Sequence, residues 1–346
     1  MYIGVNIVLG LFKIISFYNY PLQNLKMCYT VIMKKITSVY LILLLLSLCG
    51  CESEQTQTRF ILDTAVTLTA DCSQEVLNGA FELCEEYDRR FSRTNEKSEV
   101  YKLNESSGFV EIEDETKKLI EKSLYYSDVS GGRFDITVCS VSELWDFKNQ
   151  IVPSRDEIAE ALKNVDYEAI EINGNQVNLN GKRIDLGSIA KGYIADRVRE
   201  YFLENKVKKG IINLGGNVVV FGKDYTVGIQ RPFGNDVIAV LNLRDKSAVT
   251  SGIYQRFIEK DGEFYHHILD TKTGYGVKND LTSVTIIGDT SLDCDALSTV
   301  CLILGEKDGL KLIENTLGFE AVFIDKNEKI TLSSGLYQKK DNIYLK

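Results

Sequence analysis

Apolar residues after position 60 switch repeatedly between the spacing of an amphipathic helix and the alternation of a strand, and this mixture limits the possible folds most. Ser154 and Glu157 form a helix capping-box pattern, and Asn173-Gly174 between two short runs predicts a hairpin turn. No steady alternation of one strand with one helix is present, which disfavours a doubly wound parallel sheet. The sequence therefore predicts a single α+β unit with mixed, largely antiparallel sheets and packed helices. Helices are expected at about 73–91, 115–129, 154–165, 188–205 and 292–304, and strands at about 60–70, 169–172, 177–179, 210–221, 225–230, 237–243 and 281–287, with short strands closing the chain.

The charge balance argues against a nucleic-acid partner. Lysine and arginine total 40 against 49 aspartates and glutamates, which gives a net charge of −9. The first fifty residues contain four lysines and no acidic residue, so the rest of the chain is more acidic than this total. Such a surface repels nucleic acid and anionic lipid headgroups. A polyphosphate ligand would need a metal ion and a few well-placed donors to offset the repulsion.

The N-terminal region has the pattern of an export signal. Met33-Lys34-Lys35 precedes an apolar run over 36–48, which is shorter than the roughly 20 residues that span a bilayer. The run ends in Leu48-Cys49-Gly50-Cys51, which resembles a bacterial lipobox with Cys51 as the lipidated residue. We therefore expect the protein to be lipid-anchored to the cell membrane and to face the extracytoplasmic side.

These features set the expected domain boundaries. A signal and lipoprotein leader is predicted over 1–50, a polar tether over 51–59 and the folded domain over 60–346. An uncleaved membrane anchor is the alternative, which the short apolar run disfavours. Residues 1–32 fit neither interpretation and suggest that Met33 is the true start. The cysteine spacing indicates neither a zinc site nor a disulfide framework.

The segment 185–192 is expected to contain the start of a helix near Ser188. A helix N-terminus presents free amide donors and a partial positive charge, which suit a phosphate, and Lys191 would add a full charge. The spacing is neither that of a Walker motif nor that of a dinucleotide fingerprint. The alternative is that Asp185 or Ser188 only caps the helix, and the segment alone leaves both interpretations open.

Asp295 and Thr299 lie four residues apart in an expected helix, so both side chains project from one face. A carboxylate and a hydroxyl group are suitable ligands for a hard cation such as Mg²⁺. Asp293 fits the alternative, in which acidic residues near a helix start interact with the dipole. Asp295 fits it less well, because an unpaired charge beside Ala296 and Val300 would be costly.

His266 and His267 are the only imidazoles in the chain. In a strand, one of them would face each side of the sheet. We predict that His267 is a general base with an ordinary pKa near 6.5 and that Asp270 orients its ring. A purely structural role is the alternative.

Seven segments, taken together and in order, resemble the FAD:protein FMN transferases, the ApbE-type lipoproteins. The resemblance extends from about Leu62 to Val322, nearly the whole chain after the leader, and the lipobox agrees with it. The segments are Phe91-Ser92-Arg93 continuing through Ser98 to Asn104, GGRFDITV at 131–138, DLGSIAKGYIAD at 185–196, NLGG at 213–216, TSG at 250–252, HHILDTKTG at 266–274 and DALST at 295–299.

The resemblance implies a role for many of these residues. Mg²⁺ would be held at the pyrophosphate by Ser188, Asp295 and Thr299, and His267 would assist the acceptor hydroxyl. The implied reaction is Mg²⁺-dependent transfer of FMN from FAD to a Thr of an extracytoplasmic acceptor flavoprotein, such as a subunit of a membrane electron-transfer complex, with release of AMP. The implied FAD contacts are Leu62 on the first strand, Thr94, Arg133, Phe134, Asp135, Asp185, Lys191 and Ile268.

Three positions depart from the family pattern. Thr94 stands where many members carry Tyr, and this position is associated with the balance between transfer and FAD hydrolysis. Thr271 and Gly276 replace prolines that are common in the family's turns. An FAD pyrophosphatase that forms FMN and AMP is therefore one alternative, and a non-catalytic flavin-binding lipoprotein is another. The presence of Asp295 and His267 disfavours the non-catalytic lipoprotein.

Overall fold

The computed structural model describes residues 33–35, 37 and 54–346. Cys51 and nearly all of the leader predicted over 1–50 lie outside these residues. Ser53–Lys346 forms one compact unit. Among the described residues, no helix is both long and apolar enough to cross a membrane.

The strands of the fold belong to four sheets. In chain order the strands are β1 (Glu54–Ile61), β2 (Thr64–Asp71), β3 (Val110–Glu111), β4 (Glu171–Asn173), β5 (Gln176–Asn178), β6 (Gly210–Leu214), β7 (Asn217–Phe221), β8 (Tyr225–Gln230), β9 (Val237–Leu243), β10 (Lys246–Gly252), β11 (Phe257–Lys260), β12 (Glu263–His266), β13 (Leu281–Gly288), β14 (Glu320–Asp325), β15 (Ile330–Leu332), β16 (Leu336–Lys339) and β17 (Asn342–Leu345).

The largest sheet has eight strands in the order β1-β2-β6-β7-β10-β13-β14-β15, and every neighbouring pair is antiparallel. Every residue of β13 is buried, because other layers cover both faces of the sheet at this strand. A four-stranded sheet, β16-β17-β9-β8, covers one face and contains a parallel pair, β9 with β17. Val220, Ala248 and Ile287 of the large sheet pack there with Ile229 and Leu241.

Helices cover the other face of the large sheet. The helices are α1 (Gln74–Phe91), α2 (Glu99–Asn104), α3 (Asp114–Val129), α4 (Cys139–Ser142), α5 (Arg155–Leu162), α6 (Ala190–Glu204), α7 (Ser291–Leu304) and α8 (Glu306–Glu314). α7 lies on β10 and β13, with α6 alongside it and α1 against α6. Twelve of the fourteen residues of α7 are buried, so polar side chains on this helix lie inside the protein.

The predicted α+β class is confirmed, but several local predictions are wrong. The single strand expected over 210–221 is two antiparallel strands, β6 and β7, joined at Gly215-Gly216. The single strand expected over 60–70 is a hairpin, because Leu62 and Asp63 have positive φ angles of 58° and 55° and form the turn between β1 and β2. Leu62 therefore lies in this turn rather than on the first strand. Such turns favour Gly or Asn, so the sequence carried no signal for it.

Two further differences concern the ends of the folded domain. β1 begins at Glu54, so most of the stretch predicted as a tether over 51–59 is a strand. The helix Glu306–Glu314 lies in a region where only short strands were expected. In contrast, the capping box of Ser154 and Glu157 is present at the start of α5.

Candidate active site

The segment between β5 and α6 turns without capping α6. The helix begins at Ala190, two residues after the predicted start at Ser188, and its N-cap, Ile189, makes no side-chain hydrogen bond. Asp185 instead accepts a hydrogen bond from the main-chain N–H of Gly187 at 2.8 Å. The capping alternative is therefore wrong for both Asp185 and Ser188, which leaves their oxygens on the turn in front of the helix.

Two cationic side chains flank this turn. The Nε atom of Arg93 lies 3.1 Å from Oδ2 of Asp185, and the Nζ atom of Lys191 lies 3.4 Å from the carbonyl oxygen of Gly187. The charge of Lys191 also acts on two other predicted site residues, because it lowers the pKa of both Asp295 and His267. Lys191 thus lies beside the predicted phosphate site and acts electrostatically on a predicted metal ligand and on the predicted base.

Asp295 reaches the first turn of α6 because residue 192 is glycine. The N–H of Gly192 donates a hydrogen bond to Oδ2 of Asp295 at 2.8 Å. A Cβ atom on Gly192 would lie 2.3 Å from the carbonyl oxygen of Ser291 and 2.7 Å from Cβ of Asp295. Only a glycine allows α6 and α7 to approach this closely. The close approach lets the Asp295 side chain of α7 reach the main chain of α6.

The Asp295 side chain is a buried acid with few compensating partners. The residue is only 4% exposed, and burial raises the pKa of its carboxyl group, while Lys191 and the N–H of Gly192 lower it. The amide group of Asn217 lies near the carboxylate and also lowers this pKa. Its buried Nδ2 atom forms no hydrogen bond. This environment favours a positive partner for Asp295.

Hydroxyl groups surround the same part of α7. The Oγ atom of Ser251 lies 2.7 Å from Oγ of Ser298 and 3.1 Å from Oγ1 of Thr299. Thr299 is 8% exposed, one helical turn from Asp295, as the sequence spacing predicts. Ser251 at the end of β10 therefore joins the oxygen atoms of α7 to those of the sheet.

These donors fit a magnesium ion that is shared with a substrate. The described residues contain no cluster of three or more His, Cys, Asp or Glu side chains that could hold a metal by themselves. Mg²⁺ usually takes one or two carboxylates and completes its shell with waters and substrate phosphates. The carboxylate of Asp295 and the hydroxyl of Thr299 match such a partial set. Ser188, the third predicted ligand, lies on the turn that precedes α6.

The two histidines have different environments. His266 ends β12 and is 5% exposed, and its Nε2 lies 3.1 Å from the carbonyl oxygen of Val277. His267 follows the strand and is half-buried, and its Nδ1 lies 3.2 Å from the carbonyl oxygen of Arg256. The two rings thus have different partners and different burial, but His267 lies after the strand, so the prediction that the pair faces opposite sides of a sheet stays a prediction. A carbonyl oxygen only accepts, so Nδ1 of His267 carries the proton and Nε2 is left as an acceptor.

The predicted partnership of His267 with Asp270 is wrong. Asp270 accepts a hydrogen bond from the N–H of Lys272 at 2.8 Å and lies 3.4 Å from the guanidinium of Arg133. A tight turn does follow the strand, but it directs this carboxylate toward the 131–133 loop. Burial, with smaller contributions from the charges of Arg256 and Lys191, lowers the pKa of His267 from 6.5 to about 3, so the ring is neutral at pH 7.

Residues 62–323 match the ApbE family. The chain belongs to the ApbE family. A relative from Klebsiella pneumoniae (strain 342), named FAD:protein FMN transferase, is 34% identical over 264 residues, which cover 73% of this chain and 83% of the relative. A relative of the same name from Treponema pallidum is 31% identical over 291 residues, covering 76% of this chain and 80% of its own length.

Solved ApbE structures share the fold. The ApbE protein from Thermotoga maritima superposes with a TM-score of 0.76 at 34% identity and covers 82% of this chain and 97% of its own. The flavin transferase ApbE from Vibrio cholerae superposes with a TM-score of 0.74 at 23% identity, over 82% of this chain and 97% of its own. The family resemblance in the sequence is therefore confirmed at the level of the fold.

In this ApbE-family chain the Arg133–Asp135 loop is held by hydrogen bonds to neighbouring segments. Gly132 has a φ angle of 75°, and its carbonyl oxygen accepts a hydrogen bond from Thr271 at 2.8 Å. Phe134 is 3% exposed. Both oxygens of Asp135 accept hydrogen bonds, from Thr137 and from the N–H of Tyr167, so this carboxylate organises the loop. Arg133 is the member of this loop with a half-exposed charged side chain.

The remaining residues implied by the ApbE resemblance lie in separate places. Thr94 is exposed, with its hydroxyl 3.2 Å from that of Ser92. Ile268 is 9% exposed, next to His267. Leu62 lies in the β1–β2 turn, where its N–H is 3.4 Å from Oδ2 of Asp88.

Sequence reasoning missed the contributions of Asn217, Ser251 and Arg256. Ser251 and Asn217 stood inside or beside short glycine-containing motifs, at 250–252 and 213–216, but nothing in those motifs identified which side chain faces α7. Arg256 contributes through its carbonyl oxygen, which every residue type has, so no sequence signal could have identified it.

Proposed function

We propose that this protein transfers FMN from FAD to a threonine hydroxyl of an extracytoplasmic acceptor flavoprotein, in a Mg²⁺-dependent reaction that releases AMP. The observation that carries the proposal is the contact of Asp295 with the first turn of α6, which contains Lys191: Oδ2 of Asp295 accepts a hydrogen bond from the N–H of Gly192 at 2.8 Å. A cation for phosphate and a buried acid for a metal ion thereby share one end of α6, and the charge of Lys191 also acts on the neutral ring of His267. The relatives are named for the same activity, FAD:protein FMN transferase.

The proposed reaction is a substitution at phosphorus. The acceptor hydroxyl oxygen attacks the phosphorus of the FMN half of FAD, and the bond from that phosphorus to the bridging oxygen breaks. AMP leaves with the bonding electron pair, and the hydroxyl proton passes to Nε2 of His267. Positioning and charge stabilisation account for most of the catalysis in phosphoryl transfer.

Asp295 and Thr299, with Ser188 on the turn before α6, would hold the metal. A bound Mg²⁺ would neutralise phosphate oxygens and stabilise the charge that develops in transfer. Lys191 would contact a phosphate oxygen from the same side. In an acidic protein with a net charge of −9, this local positive charge offsets the repulsion of a pyrophosphate.

The tautomer of His267 supports its role as the base. The Arg256 carbonyl oxygen holds the proton on Nδ1, so the lone pair of Nε2 is available to the acceptor hydroxyl. The lowered pKa keeps the ring neutral down to acidic pH. A low pKa also makes the free ring a weak base, and the negative charge of a bound pyrophosphate would raise its basicity.

Incubation of the purified full chain with FAD, Mg²⁺ and a candidate acceptor domain, followed by mass spectrometry of the acceptor, tests the proposal. We expect a mass increase of one FMN on a threonine, equimolar AMP, and no reaction in excess EDTA or with the acceptor Thr→Ala variant. FMN and AMP formed with no acceptor modification would instead favour the pyrophosphatase, for which Thr94 in place of the common Tyr is the motivating observation. FAD binding without turnover would favour a flavin-binding lipoprotein.

We also propose that the protein acts on the extracytoplasmic side of the membrane, where subunits of electron-transfer complexes would be its acceptors. Lipidation at Cys51 is the motivating sequence feature. Labelled palmitate should enter the wild-type chain and not Cys51→Ser, and the mature protein should begin at residue 51. A native protein that still begins at Met1 or Met33 would contradict this part of the proposal.

A further inference from the structure

The N-terminus of α7, the helix that carries Asp295, is capped by a side chain from another helix. Asp196 of α6 accepts hydrogen bonds from the N–H groups of Ser291 and Leu292, the first two residues of α7, at 2.8 and 2.9 Å. The N-cap residue of α7, Thr290, makes no side-chain cap of its own. The two carboxylate oxygens of Asp196 therefore replace the usual local cap and tie one helix to the other.

The same face of α6 also holds the Asp295 carboxylate. Gly192 lies one helical turn before Asp196, and its N–H donates to Oδ2 of Asp295 at 2.8 Å. α6 thus accepts two hydrogen bonds from the start of α7 and donates one to its second turn. Three bonds between two helices fix both the rotation of α7 and its position along its own axis.

A side-chain clamp from α3 completes the arrangement. Asp293 of α7 lies 2.9 Å from Nζ of Lys122 and accepts a hydrogen bond from Tyr126 at 2.8 Å. Burial raises the pKa of Asp293, but Lys122, Thr290 and Tyr126 together lower it, so this acid stays ionised. The Asp293 clamp acts on a side chain, whereas Asp196 acts on the α7 main chain itself.

We propose that Asp196 is a positioning residue that places Asp295 and Thr299 for metal binding, without touching metal or substrate itself. The inference rests on the proposed function, because it assigns Asp196 a purpose within that reaction. An ordinary helix cap would contribute only to stability. A positioning residue must also change metal affinity, because small movements of a ligand helix alter the distances between its donors.

The test compares two carboxylates with similar bonds. Asp71 accepts hydrogen bonds from the N–H groups of Lys208 and Lys209 at 3.1 and 3.0 Å, at the end of β6 farther from the glycine turn at 215–216. Asp196→Asn and Asp71→Asn each keep the shape of the side chain and remove its charge. The readouts are Mn²⁺ binding, titrated by electron paramagnetic resonance with FAD and without acceptor, and the Mg²⁺ concentration that gives half-maximal transfer.

We expect Asp196→Asn to weaken Mn²⁺ binding and to raise the Mg²⁺ midpoint by about tenfold, with the rate at saturating Mg²⁺ largely recovered. Asp71→Asn should lower the melting temperature by a similar amount and leave both metal readouts unchanged. Equal metal affinity in Asp196→Asn and wild type, at matched folded fraction, would overturn the inference. Wild-type protein that shows no Mg²⁺-dependent transfer would instead overturn the proposed function, whatever Asp196→Asn does.

Discussion

The two sides of the candidate site are held together in different ways. On the helix side, formed by α6 and the first three turns of α7, Asp295 is 4% exposed and Thr299 is 8% exposed. Their contacts are hydrogen bonds between regular elements, from Gly192 of α6 and from Ser251 of β10. Moving any of these donors requires moving a helix or a central strand.

The histidine side, residues 266–276, is a strand end followed by a turn. His267 is half-buried, and the ring is held by one carbonyl oxygen, that of Arg256. The turn is fixed by the hydrogen bonds of Asp270 and by Gly274, whose φ angle is 72° and where a Cβ atom would lie 2.4 Å from Ile158.

The difference matches what each side has to do in the proposed reaction. A metal site depends on donor positions to within a fraction of an ångström, so it benefits from buried, cross-linked helices. The base must meet the side chain of a second protein, so it benefits from a position near the surface. Substitutions on the two sides should therefore have different effects.

The largest effect is expected on the helix side, at Asp295. Asp295→Ala removes the one buried carboxylate of the candidate metal site, so transfer should fall below about 1% of wild type and excess Mg²⁺ should not restore it. Acceptor mass measures the rate, and circular dichroism checks the fold. The matched control is Asp289→Asn, an exposed acid that precedes α7 and pairs with Lys246, and it should remain active. Full activity of Asp295→Ala in saturating Mg²⁺ would refute the metal assignment.

On the histidine side, His267→Ala should slow transfer by about 10²–10⁴-fold, because a threonine hydroxyl is a poor nucleophile without a base. FAD affinity should change little. His266 provides the contrast: it is buried with an unpartnered Nδ1 and contacts Val277, so His266→Gln should reduce stability more than the rate per folded molecule. Near-normal turnover of His267→Ala would contradict the assignment of His267 as the base. Another group or solvent would then accept the proton of the threonine hydroxyl.

The sequence predicted many of the helices and strands, because apolar spacing determines which of their faces are buried. It placed Asp295 and Thr299 on one face of α7, as the structure has them. It did not predict β10, the central strand that carries Ser251. It missed the β1–β2 turn, because Leu62 and Asp63 are not residues that favour a positive φ angle. It also missed α8, which follows α7 after a single glycine.

Contacts between distant segments were the least predictable part of the site. The closeness of His267 and Asp270 in sequence suggested a pair, but the carboxylate contacts Arg133, which lies 137 residues earlier. Asp196 lies inside the DLGSIAKGYIAD segment, yet its partners belong to α7, about a hundred residues later. Periodicity identifies a buried face but does not identify what packs against it.

A smaller effect is expected where the two helices touch. Gly192→Ala places a Cβ atom 2.3 Å from the carbonyl oxygen of Ser291, so α6 and α7 must separate. We expect a loss of about 1–3 kcal/mol in the free energy of unfolding and a weaker response of the melting temperature to Mg²⁺ with FAD. Gly108→Ala is the control, because a Cβ atom at that half-buried loop position would meet open space. An unchanged Mg²⁺ response would show that the helix contact does not position the metal ligands.

The smallest expected effect concerns pH. We expect the fall in transfer rate at acidic pH to depend on a group of the helix side and not on the histidine side. Burial raises the pKa of Asp196 from 3.8 to about 6, whereas burial lowers that of His267 to about 3. Between pH 7 and pH 5 Asp196 therefore takes up a proton and its bonds to the α7 amides weaken, while His267 remains neutral. Because the pKa of Asp196 is higher in the folded state than in the unfolded state, acidification over this range does not favour unfolding through this group. Transfer measured at limiting Mg²⁺ should fall by about 3- to 10-fold over this range, with a midpoint near 6.

The two assignments of this fall in rate are separated by a variant that cannot titrate. Asp196→Asn should be slower at pH 7 and nearly independent of pH down to 5, whereas Asp71→Asn should keep the wild-type profile. The chain has two histidines, so their titration can be followed directly by NMR, and neither ring should titrate near 6.5, since burial lowers the pKa of both. If the rate of Asp196→Asn still falls at acidic pH, and the His267 ring titrates at the same pH, then His267 controls the pH dependence. That result would reverse the contrast between the two sides of the site.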